Sequence, residues 1–505
     1  MKRFLNVRLP VILAIAVTAG IFTACLFVYF DVSFIWFTAV IPATAVIFII
    51  CAVFDKLSLK LLFILFAVIF LTAGAANCYF RLNGYKSSRI PDGVYTVNAT
   101  VCEKGENGYG EYVILKNAST DGGRLNGKII AYLSYKYGDF CDVGYKVSFT
   151  AEISKNELFK SGKINYYVQE NIKYSCNVYG GMKSEYGFSL FGNIRKAIRN
   201  TLYDNLDKDT AAIAFAMLTG NTQGIDGDTI TSIRYGGVAH VFAVSGLHIG
   251  IVFGIFYFIS KKLKFNKYVC AILCLFPILF YAGVCGFTLS SLRAAVMCAV
   301  SVCAKLACKK YDGLNSLSIA VIIILIITPT SLFSVGFQLS VCAAGGIIAL
   351  SKNFAKPFKN KKLPKKLVNA VSVSLSAQVA TFPVLLVNFG YVSGAGLLLN
   401  VLILPLLSVI FIILFLCTFI STVLSFAAPI ILPIAALPLQ VVISFLLDAG
   451  FENALISGFG TAAFAPIYFL GMTALTDKIN VRPLYRICAA VCAASVLCII
   501  ELLAF

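Results

Sequence analysis

The chain repeatedly runs for about 20 residues without a charge, the length an α-helix needs to cross the hydrocarbon core of a bilayer. Val11 to Phe30, Phe34 to Phe54 and Leu61 to Phe80 are the first three such runs. None carries the small-residue cleavage pattern of a removable signal, so all three read as permanent spans. With 59% hydrophobic residues and a mean hydropathy of +0.87, the expected fold is a polytopic α-helical membrane protein of about thirteen spans.

One stretch departs from this pattern. From Arg81 to about Asp209 the chain is rich in Tyr, Lys, Gly and Asn, with short alternating segments at Tyr95 to Val101, Tyr112 to Leu115 and Lys128 to Tyr132. Turn signals separate them, as at Glu106-Asn107-Gly108 and Asp121-Gly122-Gly123. Roughly five or six strands of that length suit a small β-barrel of the OB kind, a fold that often holds single-stranded nucleic acid on aromatic side chains. Tyrosine is also an ordinary strand residue, so composition alone does not make the domain a binder. A charged segment near Phe191 to Leu206 has the pattern of an amphipathic helix at the membrane surface. Three regions follow: spans in 1–80, the OB-like domain in 81–209 and a second membrane domain in 210–505.

Basic loops orient the chain. Lys2, Arg3 and Arg8, the stretch Asp55 to Lys60, Lys261 to Lys267, Lys305 to Lys310, Lys352 to Lys366 and Lys478 to Arg486 all fall on the cytoplasmic side if the crossings alternate. The 81–209 domain and Phe505 are then extracytoplasmic.

The formal charge of +19 points to an anionic partner, membrane lipid or nucleic acid. Between Asp228 and Asp448 the only acidic residue is Asp312, against about sixteen Lys and Arg. A proton- or sodium-coupled carrier needs intramembrane carboxylates, and so does a two-carboxylate hydrolase. A path for a polyanion is helped by their absence.

The 17 cysteines lie mostly in apolar runs, where they act as small hydrophobes, and no CxxC pair occurs, so no metal site is expected. Cys102, Cys141 and Cys176 fall in the 81–209 domain, and any one pair among them satisfies a single bridge in an oxidising compartment.

Both histidines, His240 and His248, sit in the apolar, glycine-punctuated stretch from Gly236 to Gly254. Kept helical, they share a face about 12 Å apart, too far to chelate one metal. Ser245 and His248 stand i,i+3, which suits a nucleophile and its base, yet there is no GxSxG elbow and no nearby acid to orient the imidazole. A membrane hydrolase using this pair is the alternative reading. The third option breaks the helix at Ser245-Gly246, so that backbone groups and imidazoles line an aqueous cavity. Further polar groups within apolar runs are Arg293, Gln338, Gln378, Asn388 and Asn400. An arginine there either locks helices through carbonyls or presents a cation to a pore, and the amides commonly bond between helices.

In order along the chain stand Leu218-Thr219-Gly220, His240 to His248, Leu292 to Ala295, Asp312 to Leu317, Val335 to Ser340, Gln378 to Pro383, Phe389-Gly390, and Asn400 with Pro405. As an ordered set these resemble the membrane domain of the ComEC family, which passes incoming single-stranded DNA across the cytoplasmic membrane during natural transformation. The resemblance implies a DNA channel without a cofactor, its path formed in part by His240, Ser245, Gly246, His248, Arg293, Gln338, Gln378, Asn388 and Asn400. It implies no catalytic residues. Longer members of the family carry a metallo-β-lactamase-like domain with an HxHxDH motif. The two histidines here cannot form that motif, so the expectation is a channel served by a separate nuclease. No GxxxxGK[ST] loop occurs, so a cytoplasmic motor supplies the work. Single-stranded DNA, membrane lipids and a second copy of the chain are the expected partners.

Overall fold

The computed structural model describes residues 9–30, 59–86, 92–133, 143–222, 224–358, 363–457 and Tyr468, apart from short gaps at 108–109, 161–162 and 243. The span expected at Phe34 to Phe54 and the basic segments at the two chain ends lie outside these residues. The chain divides into two compact units, one of residues 12–197 with 321–334, the other of 1–11, 198–320 and 335–505.

The first unit begins with two apolar helices, α1 (Leu9–Tyr29) and α2 (Leu59–Lys86). They approach through glycines: a methyl on Gly20 would collide with the Leu71 carbonyl, and one on Gly74 would lie 2.9 Å from the Val17 carbonyl. Small residues permit this close crossing, which replaces the hydrophobic drive that lipid cannot supply. Residues 321–334 pack here as well, Asn77 Nδ2 donating to the Ile326 carbonyl at 2.6 Å.

The barrel follows: β1 (Gly93–Asn107), β2 (Gly110–Thr120), β3 (Gly123–Arg124), β4 (Lys128–Tyr132), β5 (Lys146–Lys155), β6 (Phe159–Lys160), β7 (Lys163–Ile164) and β8 (Ile172–Glu185). The long strands run in the order β1-β5-β8-β4-β2, and β2 pairs again with β1, which closes five strands into a barrel. Only the β4–β8 pair is parallel. Closure removes the exposed sheet edges, as in the OB group. The β1–β2 hairpin turns beside Asn107 and Gly110, and Gly123 adopts φ +122° after the Asp121-Gly122 turn. Alternation decides what points inward: along β5, Val147, Phe149, Ala151 and Ile153 are buried and join Val97, Leu115 and Ile129 in the core. Cys102 and Cys176 are free thiols, and burial pushes the Cys176 thiol up to about 12, so it acts as a small apolar core residue. Cys141 lies outside the described residues. A short helix, α3 (Tyr166–Gln169), is capped by Asn165.

The second unit is helical. Its elements are α4 (Leu190–Tyr203, whose first turns belong to the first unit), α5 (Lys208–Thr219), α6 (Gly227–Tyr235), α7 (Ala239–Phe242), α8 (Gly246–Lys262), α9 (Lys267–Val284), α10 (Leu289–Leu306), α11 (Gly313–Ile327, whose last turns from Val321 belong to the first unit), α12 (Val335–Ala355), α13 (Lys365–Phe389), α14 (Gly396–Val423) and α15 (Ala428–Asp448). Strands β9 (Tyr391–Ser393) and β10 (Leu455–Ser457) pair antiparallel. Helix α5 is buried from Thr210 to Thr219, as its all-apolar run Ala211 to Leu218 requires. At 12 residues it is about 18 Å long, too short to cross a membrane. It sits in the core with Val241, Ile249, Tyr281, Leu407, Phe411, Leu432 and Leu439.

Eight helices among the described residues are long and apolar enough to span a membrane, six of them in the second unit. The chain is therefore a multi-pass membrane protein with a five-stranded barrel in its N-terminal half. The run from Gly236 to Gly254, which is long enough to cross as one span, is instead split between α7 and α8. Nor does Pro383 end its helix, because α13 continues to Phe389. The proline frees the Val379 carbonyl of its helical donor, and the Tyr468 hydroxyl donates to that carbonyl at 2.9 Å.

Candidate functional site

The site is built on the break between α7 and α8. Ser245, extended at φ −114° and ψ 169°, is the N-cap of α8, and its hydroxyl oxygen accepts from Leu247 N at 3.3 Å. Three residues on, His248 Nδ1 accepts from Ser245 N at 3.3 Å. This is a capping box with histidine in the place of the usual Glu or Gln. It occupies both side chains with backbone groups rather than joining the hydroxyl to the imidazole as a nucleophile–base pair would.

Because Nδ1 accepts, the ring proton of a neutral imidazole lies on Nε2. His248 is fully buried, stacked on Phe411 of α14 with ring centroids 4.3 Å apart. Its Nε2 has no hydrogen-bond partner among the described residues.

Neighbouring motifs hold the break. Gly220, at φ +81°, ends α5 in the left-handed conformation that glycine tolerates. A methyl there would press to 3.0 Å on Val244 Cγ2. Tyr281 of α9 donates its hydroxyl to the Leu218 carbonyl at 2.9 Å, satisfying one of the carbonyls a helix end leaves open. Ser290, in the first turn of α10, donates to the Val244 carbonyl at 2.6 Å. The Leu218-Thr219-Gly220 and Ser290 to Arg293 segments thus meet around the break, far apart in sequence.

Arg293 lies one turn into α10, only 7% exposed, with Nη1 buried and unpartnered. Its guanidinium faces the start of α8: a methyl on Gly246 would stand 3.6 Å from Nη2 and 3.6 Å from Ala294 Cβ. The one carboxylate between Asp228 and Asp448, Asp312, caps α11 instead, accepting from Leu314 N at 3.1 Å and Asn315 N at 3.2 Å. Ser245, Gly246, His248 and Arg293 therefore form one centre.

The other expected residues are dispersed. Gln378 of α13 points toward the start of α14, where a methyl on Gly396 would lie 3.2 Å from its Nε2. That point also touches Gly237, whose φ of +70° turns the chain between α6 and α7. Asn400, one turn along α14, has a buried and unpartnered Oδ1. His240 is exposed on α7, and Gln338 is half-buried in the first turn of α12. Asn388 is exposed near the end of α13 and donates to the Val384 carbonyl of its own helix. Tyr281, Ser290 and Phe411 were not legible as site residues, since a tyrosine or phenylalanine in an apolar run and a serine beside an arginine carry no spacing signal. Among the described residues no three His, Cys, Asp or Glu side chains come together.

In the barrel, the tyrosines of the β2–β4 face are covered. Tyr112 and Tyr132 pack with Ile114, Ile130, Ile172 and Tyr167, and the hydroxyls of Tyr132 and Tyr167 meet at 2.6 Å. Exposed rings lie instead along and after the end of β8, at Tyr179, Tyr186 and Phe188.

A family model described as "Competence protein" matches residues 217–478, just over half of the chain. ComE operon protein 3 of Bacillus subtilis (strain 168) is 29% identical over 213 residues, covering 42% of this chain and 27% of that protein. An uncharacterized protein of Aquifex aeolicus (strain VF5) is 28% identical over 248 residues, covering 44% of this chain and 57% of that protein. The chain thus spans about a quarter of the first relative and somewhat over half of the second. No solved structure matches. The matched stretch begins at Met217, just before the Leu218-Thr219-Gly220 turn, and takes in the break, Arg293 and the amide-bearing helices, and on that match the chain belongs to the competence protein family.

Proposed function

We propose that this protein carries single-stranded DNA across the bacterial cytoplasmic membrane during natural transformation, acting as a channel and not as an enzyme. The observation that supports this reading most strongly is Arg293, a buried guanidinium without an ion-pair partner among the described residues, in a helical unit whose sequence matches the competence protein family. A guanidinium keeps its charge at any physiological pH, so burying it alone is costly. A channel for a polyanion gives that cost a purpose, since phosphates need positive lining that binds weakly enough to release them.

In this reading about thirteen crossings place the N-terminus in the cytoplasm and the barrel outside, where it receives the incoming strand. Its exposed rings at Tyr179, Tyr186 and Phe188 are the stacking surface, and the covered β2–β4 face is structural. The strand then follows the break at Ser245-Gly246, His248 and Arg293, with Gln378 and Asn400 as polar lining, while His240, Gln338 and Asn388 contribute at its margins. A cytoplasmic motor pulls the strand, a nuclease removes its complement, anionic lipids neutralise the lysine loops, and the chain works as a homo-oligomer. Delivery of labelled single-stranded DNA to the cytoplasm, measured in a competent host with and without this chain, tests the reading. Loss of delivery is expected on deletion; undiminished delivery refutes it.

A further inference from the structure

The two orphaned nitrogens at the centre have something in common: both are donors. His248 Nε2 carries the ring proton because Nδ1 accepts from Ser245 N. Arg293 Nη1 is a donor by nature. Each is buried and lacks a partner, on side chains that are more than nine-tenths buried. The guanidinium also faces the first turn of α8, the positive end of a 17-residue helix. Among the described residues no carboxylate pairs with Arg293, and Asp312 is engaged at α11. What the centre lacks is an acceptor that carries negative charge.

Charge matching narrows the class. The seat offers one full positive charge, one neutral imidazole donor and the partial charge of a helix end. That complements a monoanion with two free oxygens better than a dianion, which would call for a second cation. A phosphodiester is such a monoanion, and the guanidinium fork suits its paired oxygens. Gly246 keeps the approach open, since it contributes no side chain between the helix end and Arg293.

We propose that the α8 N-terminus, Arg293 and His248 together seat a single phosphodiester, held by Arg293 and the His248 Nε2–H. The assignment of that phosphodiester to a DNA strand rests on the transport reading above; a phospholipid headgroup carries the same chemistry.

The chain has only two histidines, so ¹⁵N-histidine labelling of the full protein reports two imidazoles with two ring nitrogens each, and His240→Gln leaves the Nδ1 and Nε2 signals of His248. In phospholipid-free maltoside micelles, the dinucleotide thymidylyl-thymidine is expected to shift the His248 Nε2 resonance saturably, and its uncharged methylphosphonate analogue to leave it unmoved. Arg293→Gln should weaken the response at least about tenfold, the scale of one charge-assisted hydrogen bond. Gly246→Ala, which fits sterically, should weaken it less. A response to phosphatidylglycerol but not to the dinucleotide keeps the seat and assigns it to lipid. If wild-type protein with an intact His248 signal responds to neither phosphodiester, the seat is refuted. Strand import is read separately in cells: import without a dinucleotide response keeps the transport function and removes the seat, whereas binding without import does the reverse.

Discussion

The barrel and the helical unit solve the problem of polar groups in opposite ways. In the barrel the backbone is paired around a closed sheet, the core from Val97 to Cys176 is apolar, and the tyrosine hydroxyls of its covered face meet each other. Among the described residues of the helical unit, His248, Arg293, Asn315, Ser372, Ser374, Asn400, Thr418 and Ser421 keep buried polar atoms without hydrogen-bond partners, against Glu111 Oε2 in the barrel, which faces Lys104 Nζ at 3.5 Å. Burying such groups is costly, and a fold optimised for stability alone would replace them. The difference is one of completeness: the barrel core is closed by its own contacts, whereas the helical unit leaves buried polar groups unmatched among the described residues.

Four substitutions test that contrast. The largest effect is expected in the barrel. Phe149→Ala empties a fully enclosed site, costing about 3–5 kcal/mol, and hydrogen exchange across β1 to β8 should lose its protection. If protection survives, the barrel core is not the scaffold described. Next, Arg293→Leu should stabilise the helical unit, since it removes a buried charge with no ion-pair partner among the described residues, while abolishing DNA import. A fall in thermal stability would mean that the arginine locks helices and does not serve a ligand. Ser245→Ala removes the α8 cap and should cost about 1 kcal/mol. The same hydroxyl should stay unlabelled by a fluorophosphonate in wild-type protein, since it is committed to Leu247 N; labelling would revive the hydrolase reading. The smallest effect concerns Glu170, whose carboxyl is raised above its ordinary range by burial, with Glu103 adding to the shift and Lys128 opposing it. A carboxyl with a raised folded pKa binds more protons folded than unfolded, so barrel stability should fall as pH rises from the ordinary carboxylate range through the folded pKa. Glu170→Gln should flatten that slope, and an unchanged slope would contradict it.

Legibility in the sequence followed the physics of each part. Apolar runs of spanning length appear as helices because lipid leaves the backbone no other partner. The barrel is visible because period-2 alternation and turn residues are local signals: Lys128 to Tyr132 forms strand β4, and the chain turns at Asp121-Gly122-Gly123. The span count was less visible, since length and hydropathy do not separate a spanning helix from a buried one. Helix α5 and the split Gly236 to Gly254 run are the examples. Within the centre, Ser245 and His248 stood out as polar residues in an apolar stretch, but the capping box that joins them depends on a chain break. The convergence of Leu218, Val244, Tyr281 and Ser290 depends on tertiary packing, which no spacing encodes. Asn388, a conspicuous amide in the sequence, donates to the Val384 carbonyl of its own helix.

The central claim is that the unpaired charge at Arg293 exists for a passing polyanion. The most direct measurement is the amount of labelled single-stranded DNA reaching the cytoplasm in cells carrying Arg293→Gln, at membrane levels of protein matched to wild type. Delivery reduced by about tenfold or more, as expected when one charge-assisted contact to the strand is lost, is the predicted result. Delivery equal to wild type would contradict the account.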